Sequence, residues 1–204
     1  MERAYFMSSF ITDVVQAITL LIEVLEYLEI NYYIGGSTAS TAYGVSRPTQ
    51  DADVVADIRN QHVMLLVKLL ESTYYIDAQM IRDAIRNRSS FNLIYLDTMF
   101  KIDVFIPKSQ PYAQQELQRS RPICIEEGTR PFYISSPEDT ILNKLDWYKM
   151  GGCTSKRQWE DILGVLHRQN QALDFAYLRH WAINLRVADL LEQVLIDLEQ
   201  QYHQ

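Results

Sequence analysis

A short β-rich run that ends at two glycines is the feature that most constrains how this chain can fold. The run Tyr32–Ile34 leads directly into Gly35 and Gly36, and a small, helix-compatible segment follows at residues 37–43. Short aromatic and β-branched runs favour strands, and paired glycines favour tight turns. The sequence therefore predicts a strand, a tight turn and a helix, with Gly44 in a left-handed conformation at the end of that helix.

Strand and helix patterns mix up to residue 134, and only helical patterns follow. Apolar residues recur at helical spacing over residues 9–29, before the glycines. The later predicted strands are residues 51–58, 74–76, 91–96, 100–106, 122–126 and 131–134. The later predicted helices are residues 60–70, 79–88, 112–119, 137–150, 155–168, 174–184 and 187–202. We therefore expect an α/β domain at residues 1–134 and a helical C-terminal lobe at residues 135–204.

Charge and cysteine content limit the partners of the protein. The chain has 26 acidic and 19 basic residues, for a formal net charge of -7, which argues against a general nucleic-acid binder but leaves a local basic groove open. The two cysteines, Cys124 and Cys153, are too far apart for a CxxC redox pair. The most apolar stretch, residues 10–30, contains acidic residues that would be costly in a bilayer. We therefore expect a cytoplasmic protein with no membrane partner.

Three aspartates lie in segments that are predicted to be strands. Asp51 and Asp53 are one residue apart, so their side chains should share a face, and Asp103 lies in an otherwise apolar run. Neighbouring carboxylates repel each other unless cations neutralise them, and oxygen ligands suit Mg²⁺ or Mn²⁺. The three residues are therefore candidate metal ligands and catalytic residues. The alternatives are surface acids, an ion pair of Asp103 with Lys101 or Arg47, and a structural Ca²⁺ site.

The glycine turn is a candidate phosphate site. Backbone N–H groups at the start of a helix favour anions, and glycines let a phosphate approach closely. Ser37 adds a hydroxyl donor, and Arg47 lies in the loop before the aspartate pair. Gly35, Gly36, Ser37 and Arg47 are therefore predicted nucleotide-binding residues, and the alternative is a plain turn.

These motifs occur in a recognisable order. Y-I-G-G-S, thirteen residues, D-A-D-V and a later K-I-D-V-F together resemble the signature of the DNA polymerase beta-like nucleotidyltransferase superfamily. Within it, the chain looks most like the small prokaryotic branch that includes AbiEii-type toxin nucleotidyltransferases. The resemblance implies an α/β (α+β) nucleotidyltransferase fold, with a mixed sheet flanked by helices and a C-terminal helical lobe.

The resemblance also implies an activity. Such an enzyme moves a nucleoside monophosphate from a nucleoside triphosphate, for example ATP, to a hydroxyl on RNA, protein or a small molecule, and it releases pyrophosphate. Asp51 and Asp53 would bind two metal ions, while Asp103 would bind the catalytic ion and help to take the hydroxyl proton. The alternative is a nucleotide-binding or catalytically weak module that acts through a partner, such as the antitoxin-like protein of a toxin–antitoxin pair.

The C-terminal stretch S-P-E-D-T-I-L-N-K-L-D-W-Y and the later R-Q-W-E-D-I also look like the helical part of these relatives. That resemblance implies that Lys144 contacts phosphate and that Arg157 or Asp161 lines the site, whereas the alternative is ion pairs within the lobe. Two further groups of residues each have a functional and a structural interpretation. The aromatic residues could stack on a base, or they could pack within the lobe: Trp147, Tyr148 and Trp159. The basic residues could guide a polyanionic acceptor, or they could form a solvated face: Arg82, Arg86, Arg88, Lys101 and Lys108.

Overall fold

The computed structural model of the 204-residue chain describes residues 2–45, 49, 51–124 and 130–202. The helices of this part are α1 (Glu2–Tyr27), α2 (Gly36–Ala42), α3 (Val63–Leu70), α4 (Ala78–Asn87), α5 (Pro111–Arg119), α6 (Pro137–Met150), α7 (Lys156–Gln169), α8 (Phe175–Asn184) and α9 (Ala188–Tyr202). The strands are β1 (Tyr32–Ile34), β2 (Asp51–Ala56), β3 (Tyr74–Tyr75), β4 (Ser90–Tyr95), β5 (Phe100–Phe105), β6 (Arg121–Ile123) and β7 (Phe132–Ile134).

The strands form one mixed sheet in the order β3-β4-β5-β2-β1-β7-β6. The pairs β2–β5 and β1–β7 are parallel, whereas β1–β2, β3–β4, β4–β5 and β6–β7 are antiparallel. Parallel pairs need long crossover connections, and helices provide them here. The prediction of an α/β (α+β) fold with a mixed sheet and flanking helices is confirmed.

The two faces of the sheet differ in character. Ala52 and Val54 of β2 share one face with Ile102 and Val104 of β5, and all four side chains are fully buried. Helix α1 packs on these two strands and contributes buried side chains such as Leu21. The alternate residues of the same strands point to the opposite face. One face is therefore the apolar core, and the other is available for polar groups.

Contacts between Cα atoms divide the chain into two compact units. The first is Met1–Thr38 with Pro48–Ile134, and the second is Ala39–Arg47 with Ser135–Gln204. The second unit thus includes a segment from before the predicted boundary after residue 134. Within this unit, the Tyr43 hydroxyl donates to the Ser135 carbonyl at 2.7 Å. A methyl group added at Gly164 would lie 2.7 Å from the Val45 side chain, so the segment packs closely on α7.

Several predicted elements have the expected bounds. β1 and α6 begin and end where the sequence predicts, and Ser136 caps α6 by accepting from the Asp139 N–H at 3.1 Å. Gly44 is left-handed, with φ of +101°.

No described helix is long and apolar enough to cross a membrane.

The helix predicted over residues 60–70 ends at Leu70 as expected, but its first turn is not α-helical. A 3₁₀ turn at Asn60–His62 comes first, and α3 begins only at Val63. The His62 ring accepts a hydrogen bond from the Arg59 N–H through Nδ1 at 3.1 Å, which favours the tighter turn. The chain therefore enters the helical segment through a 3₁₀ turn rather than directly as an α-helix. The end of the strand predicted at residues 122–126 lies outside the described residues.

Candidate active site

The three predicted acids lie on one face of the sheet. In the parallel pairing of β2 with β5, Asp53 is in register with Asp103, and Asp51 is in register with Lys101. Residues in register on paired strands point to the same side, as do residues two apart on one strand. Asp51, Asp53 and Asp103 therefore share one side of the sheet, which we call the acid face.

The sequence of β2 explains why the acids face away from the core. Ala52, Val54 and Ala56 are fully buried, whereas Asp51 and Asp53 are only partly buried. A shift of one residue in register would turn both carboxylates into the apolar core, where an unpaired charge is very costly. The apolar residues thus fix the orientation of the acids.

The carboxylates of the acid face already have polar contacts. The Thr49 hydroxyl donates to Oδ1 of Asp51 at 3.0 Å. Nζ of Lys101 lies 2.8 Å from Oδ2 of Asp103. The hydrogen bond to Asp103 is the largest influence on the pKa of the Lys101 ammonium and raises it above 10.5; burial opposes this shift, and the negative charges of Asp103, Asp51 and Asp53 add to it. Lys101 therefore experiences the field of all three acids.

The acid face suits a hard cation by its chemistry and strand register. Adjacent strands are about 4.8 Å apart, so carboxylates in register are close enough to share an ion with small side-chain rotations. Oxygen donors on one surface match the preference of Mg²⁺ and Mn²⁺. As the side chains stand in the described part, no three His, Cys, Asp or Glu residues are grouped closely enough to hold a metal ion. The acids are thus aligned by the backbone, and metal binding remains a prediction.

The glycine turn lies against the acid face. The Gly35 N–H donates to the Asp53 carbonyl at 2.9 Å, so this N–H belongs to the sheet, and Gly35 does not offer it to a phosphate. Gly36 has φ of +56°, and a Cβ atom there would collide with Oδ2 of Asp53 and lie 2.7 Å from its Cγ. The Asp53 carboxylate therefore occupies the space that a side chain at position 36 would fill.

The two glycines give a sharp comparison. Gly36→Ala should lower the free energy of unfolding by more than about 1 kcal/mol, because alanine is strained in the left-handed region. It should also reduce any metal-dependent turnover by roughly 100-fold, since Asp53 has to move. Gly35→Ala should change stability by less than about 0.5 kcal/mol, because its Cβ would lie 3.6 Å from Tyr33 Cε2. Urea unfolding of both variants tests this, and equal losses would contradict the packing of Asp53 on Gly36.

The structure describes some of the other predicted site residues but not all of them. Ser37 is partly buried in the first turn of α2, and phosphate binding by its hydroxyl stays a prediction. Arg47 lies outside the described residues. Tyr33 is in register with Val55, so it shares the side of the acid face, and its hydroxyl donates to Glu116 of α5 at 3.1 Å.

The structure adds a residue to the acid face that the sequence analysis did not single out. Asn92 of β4 is in register with Asp103 in the antiparallel pair and is exposed. Its neighbours Phe91 and Leu93 are buried, so the alternation along β4 already indicated an outward Asn92. Only the strand register shows that it lies beside an acid.

In the helical unit, Lys144 forms an ion pair. Its Nζ lies 2.7 Å from Oδ2 of Asp161, and the two side chains are only 7% and 2% exposed. Gln158 Oε1 lies 3.5 Å from the same Nζ. The contact is the ion pair within the lobe that the sequence analysis gave as the alternative to phosphate binding. Phosphate binding by Lys144 stays a prediction.

The aromatic residues of the same unit also contact one another. The rings of Tyr148 and Trp159 are 5.0 Å apart, and the Trp159 indole N–H donates to Asp197 at 2.9 Å. These contacts match lobe packing, as is typical of aromatics at helical spacing. Trp147 and Arg157 are exposed.

The comparisons with known proteins rest on structure. No family model matches the chain, and no curated protein matches its sequence. An antigenic nucleotidyltransferase-like protein from Paracoccidioides brasiliensis matches with a TM-score of 0.61 at 20% identity, over 91% of this chain and 89% of that protein. The solution structure of the antibiotic-resistance factor ANT(2'')-Ia gives 0.53 at 16% identity, over 94% and 98%.

A second structure of that resistance factor also matches the fold of this chain. ANT(2'')-Ia in complex with adenylyl-2''-tobramycin matches with a TM-score of 0.54 at 15% identity, over 85% of this chain and 97% of that one. At such identities the likeness is one of fold. The matches extend over nearly the whole length of both chains and confirm the nucleotidyltransferase fold expected from the sequence.

Proposed function

We propose that this protein is a metal-dependent nucleotidyltransferase of the DNA polymerase beta-like superfamily. It would move a nucleoside monophosphate from a nucleoside triphosphate, such as ATP, to an acceptor hydroxyl and release pyrophosphate. One observation carries the proposal: Asp51, Asp53 and Asp103 share the acid face, and Gly36 leaves room for the Asp53 carboxylate. The fold supports it, because it is similar to that of a nucleotidyltransferase-like protein and of the resistance factor ANT(2'')-Ia.

The acids would supply the main catalytic groups. Asp51 and Asp53 would hold two Mg²⁺ or Mn²⁺ ions between them, and Asp103 would be a ligand of the catalytic ion. When bound, the ions lower the pKa of the acceptor hydroxyl and offset the charge on the departing pyrophosphate. Asp103 would also help to accept the hydroxyl proton, since it lies beside Asp53 in the register of the two strands.

The residues around the glycine turn would hold the triphosphate. The Ser37 hydroxyl and the backbone of Gly36 would contact the outer phosphates, while Gly35 contributes by having no side chain. Arg47 and Lys144 are proposed as further phosphate contacts on the sequence resemblance alone. For Lys144 this would require the ammonium to leave Asp161 or to act from within that pair.

A transfer assay tests the activity directly. The protein is incubated with Mg²⁺ and a nucleoside triphosphate labelled on either the α- or the γ-phosphate, and RNA, protein extract or hydroxyl-rich small molecules serve as acceptors. Small molecules are included because one structural neighbour is in complex with adenylyl-2''-tobramycin. We expect the α-label to move to an acceptor and the γ-label to leave as pyrophosphate. Transfer of the γ-label would contradict the proposal.

The alternative function gives a different result in the same assay. A nucleotide-binding or catalytically weak module that acts through an antitoxin-like partner, as in a toxin–antitoxin pair, would retain the nucleotide and transfer little or none of either label. Catalysis is favoured by the three carboxylates on one face and by the glycine that accommodates one of them.

The proposed location of the protein is the cytoplasm. The described cysteines, Cys124 and Cys153, are free thiols, as is usual in reducing compartments.

A further inference from the structure

A lysine ammonium occupies the acid face. Lys101 is in register with Asp51 and two residues before Asp103, so its side chain leaves the sheet on the same side as all three acids. Its Nζ lies 2.8 Å from Oδ2 of Asp103. Asp51 and Asp53 also attract this ammonium electrostatically. The acid face thus has a cation of its own, supplied by the same strand that carries Asp103.

The position of this ammonium conflicts with metal binding. A divalent ion held by Asp103 needs the carboxylate oxygens of that residue, and Lys101 contacts one of them. Two cations that close to one carboxylate would also repel each other. A metal ion therefore has to displace the ammonium before it can use that oxygen.

The lysine side chain is suited to such a displacement. Lys101 is 45% exposed, whereas Asp103 is 16% exposed, so the ammonium has a route to solvent while the carboxylate stays in place. A lysine has a flexible four-carbon stem and a single charged nitrogen, so rotation about its side-chain bonds can remove the charge. The backbone of β5 need not move, because it is paired with β2 and β4 on its two sides.

We propose that Lys101 is the resident counter-ion of the acid face. Its ammonium neutralises and positions Asp103 in the metal-free protein, and a divalent cation displaces it. The lysine would thereby set how much free metal the site requires, and it would limit repulsion between the acids when no metal is bound. This inference rests on the proposed function only in taking the acid face as a metal site.

The test measures Mn²⁺ binding to the nucleotide-free protein by electron paramagnetic resonance. Lys101→Met keeps an unbranched side chain, one atom shorter than that of lysine, and removes its charge, and it should lower the Mn²⁺ dissociation constant by roughly tenfold. Lys101→Arg should restore weaker binding. Lys68→Met, at an exposed position on α3, removes the same charge elsewhere in the first unit and should leave the dissociation constant unchanged.

A second measurement compares the thermal unfolding of the variants in the absence of metal. Lys101→Met should lower the midpoint of thermal unfolding at low salt, because the acids lose their counter-ion, and added NaCl should reduce the difference by screening. In an Asp103→Asn background the same substitution should have a much smaller effect, since the charge that Lys101 neutralises is gone.

The outcomes separate this inference from the proposed function. Tighter Mn²⁺ binding by Lys101→Met, with Lys68→Met unchanged, supports the displacement. Unchanged or weaker Mn²⁺ binding overturns it, even if the wild-type protein transfers nucleotides, and so does a complete absence of Mn²⁺ binding in every variant. If Lys101→Met binds Mn²⁺ more tightly but no variant transfers a nucleotide, the counter-ion role stands and the proposed activity fails.

Discussion

Asp53→Asn is expected to lower nucleotidyl transfer by at least about 100- to 1,000-fold while the protein stays folded. Asparagine has nearly the same shape as aspartate, so it can occupy the space beside Gly36 and keep the alternation of β2. It lacks the negative charge that a divalent ion needs from a ligand. The measurement is the rate of α-label transfer at saturating Mg²⁺, together with the unfolding midpoint.

Asp57→Asn is the matched control for that experiment. Asp57 follows the end of β2, four residues after Asp53, and its carboxylate pairs with Arg59 at 2.8 Å. Loss of this exposed ion pair should change stability by less than about 1 kcal/mol. We expect the control to retain transfer within about twofold, as is usual for a change away from the site. If Asp53→Asn kept the wild-type rate, the assignment of the acids as metal ligands would have to be abandoned.

Lys144→Met is expected to destabilise the protein by about 3–5 kcal/mol, because it removes a buried cation that contacts the charged and buried carboxylate of Asp161. The pair joins α6 to α7, with 2.7 Å between Nζ and Oδ2. Removing both charges should be far milder, so Lys144→Met combined with Asp161→Leu should regain most of the loss. Urea unfolding followed by circular dichroism measures each variant.

An exposed ion pair on α7 serves as a control for the loss of stability expected of Lys144→Met. Lys156 and Glu160 lie 3.5 Å apart on α7, and their side chains are 89% and 62% exposed. Lys156→Met should therefore change the free energy of unfolding by less than about 1 kcal/mol. If Lys144→Met were as mild as this control, the ion pair would not be a structural element of the helical unit, and a role for Lys144 in phosphate binding would gain weight.

Local sequence features predicted individual elements well, because the forces that define them are local. The N-cap Ser136 and the helix-initiating Pro137 fixed the start of α6. Alternation of apolar and polar residues fixed which way Asp51 and Asp53 face. The 3₁₀ turn before α3 was not predicted, because the spacing of apolar residues does not distinguish such a turn from the first turn of an α-helix.

The order of strands could not be predicted in the same way. β1 pairs with β7, about one hundred residues further along the chain, through a single register contact between Ile34 and Ile134. Periodicity shows which side of a strand is apolar but not which strand lies beside it. The ion pair of Lys101 with Asp103 was among the alternatives that the sequence offered, since the two residues are two apart on one strand. The positions of Asn92 beside Asp103 and of Lys101 beside Asp51 became evident only with the register of β4, β5 and β2.

The acids are carried by strands in the middle of the sheet. β2 is the fourth of the seven strands in the part of the chain that the structure describes, and both β2 and β5 have a hydrogen-bonded neighbour on each side. Backbone groups in such strands open to solvent mainly when the whole domain unfolds, so amide exchange there should be among the slowest in the molecule. Any change in the spacing between the carboxylates must then come from side-chain torsions alone, which adjust on far shorter timescales than a sheet rearranges. A stiff backbone whose carboxylates adjust by side-chain torsions can admit ions of somewhat different radius without altering the distance between their points of attachment.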